Sequence, residues 1–137
     1  DDRTSRGLGD VYKRQSVNVG NPHVVFFVDN IEDYDLKKIG PEIENHKYFP
    51  EKCNVTLAQV INKKLIKVKV WERGAGLTKA CGTAACATAV AANINGLTDK
   101  TTDIEFALGR LSISIDKNNS IHMKGPVSDI ENIEINI

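Results

Sequence analysis

The segment ERGAGLTKACGTAACATAVAA (residues 72–92) sets a charged pair, Glu72-Arg73, and Cys81 directly ahead of an alanine-rich run. Alanine has the highest helix propensity and a minimal side chain. The run therefore predicts a helix from just after Cys81 to about Asn95, able to press against a curved sheet, with Gly96 as its stop. Gly74 and Gly76 allow the incoming chain a tight turn, Gly82 lets a ligand approach the backbone, and Thr83 can cap the helix or offer a hydroxyl. The first backbone N–H groups of such a helix have no intrahelical acceptor and, with the macrodipole, favour a carboxylate or a developing enolate. The same field lowers the pKa of a thiol from its usual value of about 8.5, raising its thiolate fraction. A thiolate at Cys81 can then attack a carbonyl or take the proton from the carbon beside a bound carboxylate. An inert, buried thiol is the alternative, and composition leaves it open at Cys81. Cys53 and Cys86 both read as structural.

The elements that must hold this segment are mostly strands. HVVFFVD (23–29) is a β-branched and aromatic run that predicts a buried strand. NVTLAQVI (54–61) and LIKVKVW (65–71) predict two strands of a hairpin turning at NKK. Ile66, Val68 and Val70 should face the core, with Lys67 and Lys69 on the wet side. DLKKIGPEIENH (35–46) has helical spacing behind a capping aspartate, broken by Gly40-Pro41. DIEFAL, RLSISID, SIHMKG and IENIEINI complete a strand-rich chain with two main helices, an α+β pattern. Residues 1–15 show no apolar periodicity and read as a non-native or disordered segment outside the fold.

The chain has 137 residues, 41% hydrophobic and 26% charged, with zero formal net charge. That length can bury a core as one domain, and the balanced charge argues against a nucleic-acid binder. No apolar run is long enough to span a membrane, so cytoplasmic residence is expected. Three cysteines, with no CxxC pair, make neither a disulfide framework nor a metal site, and no metal is expected.

ERGAGLTKACGTAACA, together with VGNPH (19–23), CNV (53–55), IENHKYFPE and the GLTD after the helix, closely resembles the carboxy-terminal half of the diaminopimelate epimerase family. The resemblance covers residues 16–137. It implies one half of a two-lobed fold, a strand-rich lobe whose barrel-like sheet wraps a central alanine-rich helix. The implied activity is interconversion of LL- and meso-diaminopimelate, in lysine and cell-wall precursor synthesis, by two-cysteine α-proton transfer without pyridoxal phosphate or any other cofactor. Cys81 matches the family's carboxy-terminal catalytic cysteine. Gly82 and Thr83 match the positions whose backbone holds the reacting carboxylate. Arg73 matches the fork on the distal carboxylate, and Glu72 the group that contacts the distal ammonium and tunes the thiols. Asn21 and Asn54 match the asparagines that read the distal end, and His23 the histidine that adjusts cysteine ionisation. Two departures stand out: Leu77 replaces the glutamate of the family's GxGET, and Ala84 replaces a glycine in CGTGA.

Other readings compete with this one. Proline or hydroxyproline racemases and the isomerase of phenazine biosynthesis share the two-lobed architecture, but Arg73 and the two asparagines suit a second amino-acid end. Cysteine-dependent acyl transfer needs a histidine, from among His23, His46 and His122, within reach of the thiol. A non-catalytic fragment with a structural thiol needs neither. The resemblance further implies an amino-terminal lobe carrying the second cysteine, and a homodimer of the full-length enzyme. It also implies that strands opening this lobe precede Ser16. The isolated 137-residue chain should therefore be inactive. Incubated with LL-diaminopimelate in deuterated water, it is expected to form neither meso product nor α-deuterated substrate; turnover comparable to a two-lobed enzyme would contradict this.

Overall fold

The computed structural model describes residues 12–35, 37, 54–72, 76–78, 82–107, 109–125 and 130–133. One sheet runs through them. Its strands are β1 (Lys13–Asn18), β2 (Pro22–Phe27), β3 (Asn54–Asn62), β4 (Leu65–Glu72), β5 (Gly76–Thr78), β6 (Thr101–Phe106), β7 (Gly109–Ile115), β8 (Ile121–Lys124) and β9 (Ile130–Ile133). The spatial order is β1-β2-β3-β4-β6-β7-β8-β9, with β5 also on β4. Pairing is antiparallel except for β2 with β3 and β4 with β6. The far edge of β4 is shared: Leu65, Ile66 and Lys67 pair with β6, while Val70, Trp71 and Glu72 pair with β5.

The helix α1 (Gly82–Ile94) crosses the concave face of this sheet. Residues 84–92 are all buried, so no face of its central turns meets solvent. A helix apolar on every side belongs in a core, and α1 touches β1, β2, β3, β6, β7 and β8. A single 13-residue helix reaches six strands only if the sheet curls around it. Alanine makes that curl possible, because backbone can approach backbone closely where side chains are short.

Strand faces follow the period of two. Ile66, Val68 and Val70 enter the core around α1, and Lys67 and Lys69 remain outside, as predicted. Val25 and Phe27 of β2 pack on the helix side, while Val24, Phe26 and Val28 build a second cluster on the other face. A 3-10 turn, Ile31–Asp33, covers that second face. Asn30 Oδ1 accepts from Glu32 N at 3.0 Å, and Lys69 Nζ meets Glu32 Oε1 at 3.1 Å.

The helix ends where Gly96 was expected to stop it. Gly96 has φ +71°, Leu97 N donates to Ala92 O at 2.8 Å and Gly96 N to Asn93 O at 3.0 Å. Those two bonds satisfy carbonyls that a buried helix end would otherwise orphan, and Leu97 packs on the core. Asp99 N then donates to Lys63 O at 2.9 Å, bringing the chain down at the β3–β4 turn. The other end of α1, at Gly82, lies against Met123 of β8.

One boundary differs from the sequence-based expectation. β1 begins at Lys13, inside the segment 1–15 that had been set outside the fold. An edge strand is held by backbone bonds to one neighbour, and β1 buries little of its side-chain surface, so apolar periodicity was not required. The predicted helix over 35–46 lies almost wholly outside the described residues, as does the strand beyond Ile133. Small size at the helix surface is a testable constraint: Ala91→Leu should destabilise the protein by about 1–3 kcal/mol through overpacking, measured by denaturant unfolding.

Candidate functional site

Three of the predicted site residues, His23, Asn54 and Glu72, share one level of the sheet. His23 near the start of β2 is in register with Asn54, the first residue of β3. On the next strand Val55 pairs with Trp71, which places the backbone of Glu72, the last residue of β4, at the same level. Glu72 in turn pairs with Gly76. A row of His23, Asn54, Glu72 and Gly76 thus crosses four strands at the level where β4 ends.

The parity of each strand decides which way the row faces. Val25, Phe27 and Ala58 belong to the core around α1, so His23 and Asn54, at alternate positions, lie on the same concave face. Both are almost fully buried, with 2% and 1% of their surface exposed. Burying polar side chains this deeply is costly unless they are hydrogen-bonded. His23 Nε2 is 3.1 Å from Asn21 Oδ1, across the tight turn that joins β1 to β2. Gly20 makes that turn with φ +105°, and its N–H donates to Asn18 Oδ1 at 2.9 Å. The GNPH stretch is therefore a local device that seats one polar side chain against another.

Gly82 and Thr83 are the first two residues of α1, and both are half-buried. Thr83 stands inside the first turn of α1, one residue past its start. Gly82 also has a packing reason to be glycine. A Cβ there would lie 3.2 Å from Met123 Cε and 3.3 Å from Met123 Sδ. Met123, on β8, is a residue that the sequence reading missed. Its only signal was the period of two after Ile121, which is fully buried. Cys86 is fully buried within α1, in keeping with a structural thiol. Cys81, Arg73 and Cys53 lie outside the described residues.

Chemistry elsewhere in the described residues is structural. Asp116 binds the β7–β8 turn: Oδ2 meets His122 Nε2 at 2.9 Å, and Oδ1 accepts from Ser120 N at 3.0 Å and Asn118 N at 2.8 Å. The hydrogen bond from His122 leads in holding its carboxyl below the usual carboxylate range, followed by the backbone donors. Tyr12 is pushed upward by burial and by the nearby Asp29. A cleft of about 130 Å³ lies between Lys67–Lys69 and Glu105–Ala107, where β5 and β6 share β4; none of the row residues lines it. No group of three or more potential metal ligands occurs among the described residues.

Comparison with known proteins fits this arrangement. The sequence pattern of the family described as diaminopimelate epimerase matches residues 15–130. The chain belongs to the diaminopimelate epimerase family. It is 79% identical over 122 residues to the diaminopimelate epimerase of Pelagibacter ubique (strain HTCC1062), covering 89% of this chain and 44% of that protein. It is 46% identical over 126 residues to that of Rhodospirillum centenum, covering 92% and 43%. The chain thus spans less than half the length of these curated relatives of the epimerase family. Among solved structures, it superposes on a phenazine biosynthesis protein of the PhzF family from Bacillus anthracis with a TM-score of 0.55, at 18% identity, covering 85% of this chain and 38% of that one. A second, from Clostridium difficile, gives 0.55 at 19% identity, covering 76% and 37%. At such identity the likeness is one of fold: a curled sheet around a central helix.

With Asn21 Oδ1 as acceptor, the neutral His23 ring carries its proton on Nε2. Nitrogen-15 NMR of the imidazole should show that tautomer, and Asn21→Ala should shift the tautomer balance. An Nδ1–H ring in the unsubstituted protein would count against the assigned bond.

Proposed function

We propose that this chain supplies the carboxylate-holding half of a diaminopimelate epimerase active site. The observation that carries the reading is the buried pair of His23 and Asn54, in register on the concave face, in a chain 79% identical to a named diaminopimelate epimerase. No helix among the described residues is long and apolar enough to cross a membrane, and the proposed substrate is a small dicarboxylic amino acid.

The chemistry needs one group on each face of the α-carbon. In this reading the Cys81 thiolate takes the α-proton: an S–H bond forms, the C–H bond breaks, and its electron pair passes into the carboxylate as an enolate. The N–H groups of Gly82 and Thr83, at the positive end of α1, stabilise that charge as it develops. A second thiol then gives its proton to the opposite face, inverting the centre. That thiol belongs to the part of the relatives' length that this chain does not span, a separate lobe of the full protein. No cofactor is required for this proton exchange.

The distal amino-acid end is read by the remaining residues. Arg73 forks onto the distal carboxylate, Glu72 contacts the distal ammonium, and Asn54 with Asn21 completes the pocket. Because Asn21 Oδ1 engages His23, its side chain serves a ligand as an N–H donor. His23, seated by that bond, adjusts the ionisation of the thiols. The full enzyme works as a homodimer of two-lobed chains in the cytoplasm.

In the full-length protein, Cys81→Ala should lower kcat by about 10²–10⁴-fold with little change in KM, the range for loss of a positioned acid or base. Iodoacetamide should also alkylate Cys81 well below the pH of an ordinary thiol. Full turnover by the alanine variant, or alkylation only at ordinary thiol pH, would remove Cys81 from the mechanism.

A further inference from the structure

Met123 is the chain's only methionine, and it lies against the mouth of α1. Three observations fix its place. It sits two residues after the fully buried Ile121 on β8, it is in register with the fully buried Ile113, and it packs on the core around α1. Its Sδ and Cε lie 3.3 and 3.2 Å from the position a Cβ would take on Gly82, so the thioether rests directly on the first residue of the helix. The start of β8 is itself pinned, through His122 Nε2 and Asp116 Oδ2 at 2.9 Å.

We propose that Met123 is a positioning residue: its thioether walls the β8 side of the first turn of α1 and fixes where Gly82 presents its N–H to a bound carboxylate. This rests on the reading of Gly82 as a carboxylate-holding position. The physical reason for methionine is twofold. An unbranched side chain with three rotatable bonds fills the irregular gap between strand and helix end. Its sulfur is also a weak acceptor, so the helix N–H groups stay committed to the substrate. An amide in the same place would supply a strong internal acceptor and compete with the carboxylate.

The test is Met123→Gln in the full-length protein, with Met123→Leu as the apolar control. For M123Q, KM for diaminopimelate should rise about tenfold or more, as expected when a hydrogen bond to a charged group is displaced, and kcat should change less. The amide protons of Gly82 and Thr83 should shift in M123Q without substrate. M123L should keep KM within about threefold of the parent, and a fold defect alone would not separate KM from kcat in this way. An unchanged KM in M123Q, or an equal KM rise in M123L, would overturn the proposal. If the parent's Gly82 and Thr83 amides do not respond to diaminopimelate at all, the carboxylate reading itself fails, and the role of Met123 fails with it.

Discussion

A helix that is buried on all sides, and can be so only because its side chains are small, sets the geometry of this protein. Residues 84–92 have no solvent-facing stripe, and the sheet meets α1 from six strands. Every backbone polar group of such a helix must be satisfied internally or at its ends. At the carboxyl end, Gly96 and Leu97 turn back to bond the last carbonyls, and Asn95 Nδ2 bonds Ala91 O at 2.8 Å. The amino end of α1, at Gly82, carries the positive end of the helix dipole.

The surrounding residues divide their work by strand parity. Along the core-facing positions of β2 and β3, valine, phenylalanine and alanine give way to Thr56 and then to His23 and Asn54 at the strand starts. The strands set His23 beside Asn54, and the turn at Gly20 seats the histidine against Asn21. Elsewhere on the sheet, β8 brings the apolar side chain of Met123 to the first residue of α1.

The family to which the chain belongs is named for epimerisation, and inversion at a carbon centre needs a proton carrier on each face. The chain spans 44% of the Pelagibacter ubique relative. A fold shared with phenazine biosynthesis proteins at 18–19% identity shows that the curled sheet and buried helix tolerate wide sequence change.

Local features were readable along the chain because their causes are local. The alternation of Ile66, Val68 and Val70 with lysines named the buried face of β4, and alanine propensity with Gly96 set the helix and its end. The site residues were legible through motif likeness, since asparagine, histidine and glycine carry no periodic signature of a site. Tertiary structure alone decided that β2 and β3 pair in parallel, which sets His23 beside Asn54. It decided too that the unpatterned residues 13–15 join an edge strand, and that Met123 lies on Gly82. Those contacts join residues far apart in the chain. Their energy depends on which backbones happen to be neighbours, a property that no stretch of sequence holds by itself.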